Sequence, residues 1–480
     1  GLSESSTGVW SNTYNTNVAT AAACGPYKLT TYQEGKLMEF SRNENWIGYS
    51  DSRFAGMYQA TGIKSVYASE ASTRKQMFLK GELDTYGLQP EDYADYRMSD
   101  YFYTSPGTTI FFLTLSSSEG ALKAAEKEGV DKEIIANDKF RKALSLSFDK
   151  DAFAAAISPA RSGAFSVIGA YDIWNPSTGE KYRDTDIAKA ALAEYYGFTK
   201  QDDGSWKLAS SDKLYTLDEA VKAITGYDPE TAKALFLEAY QEQLDAGKIS
   251  ATDKIEIEYA LSNQSSFIDK TLNYLNEQIN AVLAGTVLEN RVSITQSAPV
   301  GNDWSSKLRE GTSQTALCGW EGGMLDPFGS MLYYLYPEYD PYAEMWWDTT
   351  KTNATMTLPV GENGADVEIT MTLEKWGLCL TGDAIKVGDK TYNFGYEQVA
   401  DSVRLQILAN LEKEILSTNY YIPMLQDGSG FLLTQKVNYA LGPDDYNAVL
   451  KRGGIAYMTF NYTDKEWADY VASQNGTLKY

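Results

Sequence analysis

The run Cys318-Gly319-Trp320-Glu321-Gly322-Gly323-Met324-Leu325-Asp326-Pro327-Phe328 concentrates residue types suited to holding a ligand. Gly322 and Gly323 have no Cβ, so the backbone there can approach a bound molecule and turn its amides toward it. Trp320 supplies a flat apolar wall, and Asp326-Pro327 reads as a turn or helix start. The chemistry on offer is non-covalent: main-chain hydrogen bonds, an aromatic surface and nearby carboxylates. The competing local reading is a tight turn beside a core tryptophan.

Covalent and acid–base chemistry has less support. The chain contains no histidine. That removes Ser-His-Asp and Cys-His catalysis, His-ligated zinc, and most general-base mechanisms near neutral pH. Paired carboxylates or Ser-Lys chemistry would remain. A carboxylate-based glycosidase needs two acidic residues facing each other at a fixed separation. No motif singles out such a pair among the 65 Asp and Glu residues. Cys24, Cys318 and Cys379 are the only three cysteines and lack CxxC spacing, so no zinc site, other metal or cofactor is expected. At most one disulfide could form, and buried free thiols are expected instead. The balance of 42 basic to 65 acidic residues, net -23, argues against a nucleic-acid partner, which needs a basic face. It suits a protein that works outside a cell or on its surface.

The elements that must position these residues fit more than one domain. At 480 residues the chain exceeds the usual single-domain size, and its 43% hydrophobic content can fill real cores. No stretch reaches the roughly 18 apolar residues of a membrane helix. Ile255-Glu-Ile-Glu-Tyr259 alternates like a strand. The polar turn Ser262-Asn263-Gln264-Ser265-Ser266 follows, then an amphipathic helix from Phe267 to Leu283. In such α/β units the loops after the strands sit where ligands bind, which makes Asn263 a candidate. A helix is expected over 138–157, capped by Asn137, with Phe140, Ala143, Leu144, Ser147 and Phe148 on one face. A second helix should start at Pro229 behind Asp228. Strands are expected at 63–68 and 110–115, and a helix from Glu70 should end at Gly81. Residues 175–215 read as a polar excursion, 354–394 as a β-hairpin insertion, and 396–416 as a long helix before the apolar strand at 420–425. The Tyr/Trp-rich stretch 333–347 reads as a packed loop cover, or as a surface that stacks on sugar rings or peptide side chains.

Four segments occur in a telling order: Cys24-Gly25-Pro26-Tyr27-Lys28-Leu29, Arg42-Asn43-Glu44-Asn45-Trp46, Asn137 to Lys150, and Gly319-Trp320 through Asp326-Pro327. Together they resemble the peptide-binding, family 5 type of extracellular solute-binding proteins, which deliver peptides to ABC importers. The resemblance covers most of the chain. It implies an α/β, two-lobe architecture of the periplasmic-binding-protein type II (Venus-flytrap) kind. Residues 1–108 and 436–480 would form the first lobe and 109–435 the second. Relatives carry a longer stretch before the Gly-Pro-Tyr-Lys-Leu motif. On that pattern the first lobe is expected to be N-terminally incomplete, through cleavage, truncation or a separate N-terminal polypeptide.

The resemblance also implies function. A peptide would lie extended in the cleft between the lobes, paired through its main chain, and hinge closure would precede delivery to the permease subunits. The protein would be lipid-anchored at the outer face of the membrane or periplasmic. Gly319, Trp320, Glu321 and Gly322 match the loop that lies along the ligand backbone. Trp304 matches an aromatic that lines a side-chain pocket, and Arg309 lies near an arginine that can face the ligand carboxylate. The aspartate that holds the ligand ammonium in relatives falls on Gly323 here. Glu321 or Asp326 is then the expected replacement acceptor. The same fold binding an oligosaccharide is the alternative.

Overall fold

The computed structural model describes residues 2–115, 118–157, 159–323, 325–339, 347–439 and 454–480; side chains at 105, 106, 439 and 454 are outside the description. Met324 of the first motif, and Tyr342 and Trp346 of the aromatic stretch 333–347, lie outside the described residues. The chain divides into two compact units, Gly1–Pro106 with Gly428–Tyr480, and Gly107–Asp427. It passes between them within two thirteen-residue strands, Phe102–Thr114 and Tyr421–Leu433.

In the first unit, Tyr27–Gln33, Leu37–Arg42 and Gly62–Val66 form an antiparallel meander. The Gly-Pro-Tyr and Arg-Asn motifs meet here for structural reasons. Asn43 is buried, and its Nδ2 donates to the Gly25 carbonyl at 2.9 Å. The Asn43 amide and the Tyr49 hydroxyl both donate to the Pro26 carbonyl, at 2.8 and 2.7 Å. Trp46 packs edge-on against Tyr49 and Tyr58. The helix Ala71–Leu79 stops at Gly81, whose φ of +72° is cheap only for glycine. The Gly81 carbonyl accepts from Trp467 Nε1, which ties down the terminal helix Asp464–Ser473.

The second unit is built on the parallel strands Val292–Gln296, Lys254–Tyr259 and Val130–Asp131, in that order. Ile255, Ile257 and Tyr259 point into the core, as their alternation predicts. The helix Ser266–Leu283 buries Leu272, Leu275, Ile279 and Val282, and the Ser265 hydroxyl caps it. The Ala260 amide bonds to the Thr315 carbonyl at 2.8 Å, which leads from the parallel strands into the antiparallel strand Leu317–Trp320. That strand pairs with Ile110–Leu113, and residues 110–114 lie in turn beside Tyr421 and its neighbours. The helices Asp138–Leu146 and Pro229–Asp245 pack through an edge-to-face contact of Phe140 and Phe236.

Three expectations need correction. The single helix over 138–157 is two helices, Asp138–Leu146 and Lys150–Ile157. Ser147 Oγ turns back onto the Ala143 carbonyl, and Asp149 Oδ1 accepts from the Ala152 amide, so the Ser-Phe-Asp step ends one helix and caps the next. The 354–394 segment does open with a hairpin, Asn353–Leu358 against Val367–Thr372. It also holds the helix Leu373–Thr381, which buries Trp376 and Cys379. Residues 175–215 contain the helix Asp186–Tyr195, docked on the long helix Asp401–Thr418, where the Tyr195 hydroxyl donates to the Leu416 carbonyl and Glu194 pairs with Lys413. All three cysteines are free. Cys318 and Cys379 are buried as expected, but Cys24 is exposed. Burial pushes the Cys379 thiol up to about 11. Among the described residues, no helix is long and apolar enough to cross a membrane.

Lys150, at the start of the second helix, is fully buried. Among the described residues its Nζ hydrogen-bonds to the Ser145 and Gly226 carbonyls alone, each at 3.4 Å, and nearby Lys142 adds repulsion. Burial, then that repulsion, lowers its pKa to about 7. The folded chain therefore binds fewer protons than the unfolded chain between about pH 7 and the ordinary lysine pKa of about 10.4. Stability from this group should rise with pH across that window. Lys150→Met, which keeps the volume, should raise the melting temperature at pH 6 and flatten the rise. Melting curves of both proteins from pH 6 to 10 test this, and parallel curves would refute it.

Candidate ligand-binding site

The register of Leu317–Trp320 on Ile110–Leu113 determines what each residue of the motif can do. Gly319 lies opposite Phe111, and Trp320 opposite Ile110. Side chains alternate along a strand, so these two pairs occupy opposite faces. The Ala316 carbonyl accepts from the Thr114 amide, whereas the Leu317 amide turns the other way, to the Tyr259 hydroxyl at 3.1 Å. The same alternation turns the main-chain groups of Gly319 away from Phe111, toward the outer edge of the strand. Leu317–Trp320 is the end strand in its sheet, and Gly319 is exposed. Among the described residues it thus presents a free main-chain edge with no side chain of its own. A Cβ at 319 would come within 2.8 Å of the Phe111 ring and 3.0 Å of Thr109 Cγ2. The glycine lets Phe111 lie flat against the strand.

Trp320 faces the other side. Its ring stacks on Tyr333, centroids 3.6 Å apart and planes 13° from parallel. One face of the expected aromatic wall is therefore already covered. Its Nε1 is buried and has no hydrogen-bond partner among the described residues. Trp320 lines a narrow cleft with Thr108, Ile110, Ile168, Asp172 and Tyr334, of ≈ 10 Å³, about the room for one water. Side chains anchor the loop that forms the far wall. The Ile168 amide bonds to Glu412 Oε1, the Ala170 amide to Gln426 Oε1, and the Gly169 amide to Asp172 Oδ2, at 3.2, 3.0 and 2.8 Å. Glu412 is buried and paired with Arg183, and the Tyr182 hydroxyl donates to its other oxygen. Gln426 Nε2 donates to the Gly107 carbonyl at 2.7 Å, so one amide side chain ties both walls together.

Past Trp320 the chain turns sharply. The exposed Glu321 accepts from the buried Thr108 hydroxyl at 3.0 Å. Gly322 packs against Ser330, and a Cβ there would collide with Ser330 Oγ and Cβ. The Gly323 amide donates to Ser330 Oγ at 2.8 Å, yet a Cβ at 323 would meet nothing closer than 3.9 Å. The two glycines therefore differ: the half-buried Ser330 leaves no room for a Cβ at Gly322, and Gly323 has room. Asp326 caps the turn Pro327–Ser330 through the Gly329 amide at 3.0 Å.

Other candidates group at the same end of the strands. The Gly301 amide donates to the Ser262 carbonyl at 2.9 Å, which sets the exposed Asn263 loop beside the loop leading into Trp304. Trp304 opens the helix Trp304–Arg309 and packs half-buried on the core. Arg309, at the far end of that helix, is exposed and bonds to Ser306 Oγ. In the aromatic stretch Tyr333 and Tyr334 are buried, in keeping with packing, while Tyr339 is 60% exposed.

Comparison with known proteins is consistent with this geometry. The profile of the bacterial extracellular solute-binding proteins, family 5, middle part, matches residues 4–341. The chain belongs to that family. No curated protein sequence matches it. Listeria monocytogenes OppA bound to peptide is 12% identical, with a TM-score of 0.58 over 94% of this chain and 67% of that one. Haemophilus influenzae OppA in complex with RPPGFSPFR is 14% identical, with a TM-score of 0.56 over 92% and 65%. AgaA of A. tumefacien in complex with agropinic acid is 12% identical, with a TM-score of 0.53 over 92% and 67%. At such identities the likeness shows a shared fold, the α/β fold of two-lobe binding proteins. The chain spans about two thirds of the length of these structures.

Within this family member the turn makes a sharp contrast. Gly322→Ala should lose roughly 1–3 kcal/mol through overpacking against Ser330, whereas Gly323→Ala should stay within about 0.5 kcal/mol of the parent. Denaturant melts of the two variants test the contrast. Equal midpoints would show that Ser330 moves freely.

Proposed function

We propose that this solute-binding protein captures peptides at the outer face of the cell, lipid-anchored or periplasmic, and passes them to the permease of an ABC importer. The observation that carries the reading is the free main-chain edge at Gly319. An extended peptide can add itself there as one more strand. Every peptide has the same backbone donors and acceptors, so such an edge tolerates many sequences. Structural neighbours captured with peptides support the reading, and one with agropinic acid keeps other solutes in view. The buried Tyr333 and Tyr334 offer little surface for stacking on sugar rings.

Glu321 is the proposed acceptor for the ligand ammonium. Its carboxylate is exposed, and it stands two residues beyond the open edge. Asp326 is committed to capping its own turn, which leaves it the weaker candidate. A carboxylate–ammonium hydrogen bond contributes about 1.5–3 kcal/mol, a ten- to hundredfold effect on affinity. Titration calorimetry with a peptide mixture and an oligosaccharide mixture separates the ligand classes. Glu321→Gln should weaken free peptides ten- to hundredfold, and N-acetylated peptides should bind the parent equally weakly. Unchanged affinity in Glu321→Gln would remove Glu321 from the site, and saturation by sugars alone would overturn the peptide reading.

A further inference from the structure

Arg161 lies on the Gly319 face of the sheet, and it belongs to none of the sequence motifs. Its guanidinium is 4.7 Å from the centroid of Phe111 and 5.2 Å from that of Phe267. Its Nε donates to Asp427 Oδ1 at 3.1 Å. The side chain is only 21% exposed. Two rings and one carboxylate thus hold the planar group in a single orientation. Arginine has five N–H donors, and four of them belong to Nη1 and Nη2. Among the described residues neither Nη atom has a hydrogen-bond partner. The group is thus mostly desolvated and rigid, with its fork unused.

The surroundings say what the fork would take. Phe111, which carries the guanidinium, is the residue directly opposite Gly319. Facing positions on paired strands lie about 4.5–5.5 Å apart, and a Cβ at 319 would touch the Phe111 ring, so that ring links the guanidinium to the strand that carries the open edge. Phe267 opens the helix that follows the Asn263 loop. Segments 107–111, 262–267 and 318–323 contain no Lys or Arg, while Glu321 and Asp427 flank the face and the chain as a whole carries net -23. Arg161 therefore supplies the positive charge that a carboxylate would meet at these segments. A cationic group would be repelled and a neutral carbonyl would occupy one N–H at a time, whereas a carboxylate matches both arms of the fork and brings the opposite charge.

We propose that Arg161 is the specificity-determining residue that binds a carboxylate of the ligand. Asp427 and the two phenylalanines are the positioning residues that aim it. With Glu321 as the ammonium acceptor, the site would read both of a peptide's charges. The inference rests on the peptide reading. The carboxylate has two sources, the C-terminus or an acidic side chain, and the test separates them.

The probes are random pentapeptide libraries in three forms: free C-termini, amidated C-termini, and amidated without Asp and Glu. Capture by the full chain is read by native mass spectrometry. The parent should retain the free-acid library at least about tenfold over the amidated library that lacks acids. Arg161→Gln should abolish that preference while holding the neutral library within about twofold, and Arg161→Lys should restore part of it. Retention of the amidated, acid-containing library at the free-acid level assigns the side-chain source; its loss assigns the C-terminus. A preference that survives in Arg161→Gln, at an unchanged melting temperature, overturns the proposal and leaves the peptide reading intact. If no library binds the parent, both fall. Should Arg161→Gln lose stability through the stranded Asp427 charge, the double variant Arg161→Gln/Asp427→Asn removes both charges and carries the same test.

Discussion

The pairing of Leu317–Trp320 with Ile110–Leu113 is the constraint on which the rest of the site depends. A strand has two faces and two edges, and register assigns each residue to one of each. Here one edge is bonded to Ile110–Leu113 and the other is occupied only as far as the Leu317 amide. Gly319 is therefore left with main-chain groups turned outward. A slip of one residue would turn Trp320 onto the Phe111 face and bury the open edge against its neighbour. The Phe111 ring over Gly319 and the Tyr333 ring over Trp320 oppose such a slip from the two faces.

Buried polar groups hold the walls around this strand. Gln426 bridges the Gly107 carbonyl and the Ala170 amide, and Glu412 anchors the Ile168 amide while paired to Arg183. Such groups are costly to bury and only modestly stabilising once satisfied. Their effect is positional: each has one geometry in which its bonds are met, so the loop they hold has one place. Lys150 is the counterexample in the same unit, a buried amine held among the described residues by two long contacts to carbonyls.

Periodicity made much of the fold legible. Ile255 and Ile257 alternate into the core, Asn137 caps its helix, Asp228 precedes Pro229, and Gly81 ends its helix with positive φ. Each is a local effect, decided by neighbours within a few residues. The misreadings share a cause as well. The helix Leu373–Thr381 is apolar over most of its surface and short, so it carries no clear period, and strands on both sides favour a hairpin reading. The break at Ser147–Asp149 hides inside a continuing apolar stripe; the Ser-x-Asp pair is the available signal. Gly322 looks like a ligand contact in the sequence and is a packing contact with Ser330, a residue eight positions on.

By itself the sequence determined the family, the elements of the α/β unit and the short list from which a binding site must be drawn. Those follow from residue type and near-neighbour spacing. The absence of histidine likewise narrowed the chemistry, because composition alone removes every mechanism that needs an imidazole. Only the tertiary structure decided which face each residue occupies and what it meets there. It set Gly319 and Trp320 back to back, spent Asp326 on a helix cap, and assembled Arg161 with Phe111, Phe267 and Asp427 from four separate stretches of chain. The reason is that strand register and cross-chain packing join residues 50 to more than 250 positions apart, and no local pattern in the sequence encodes that distance.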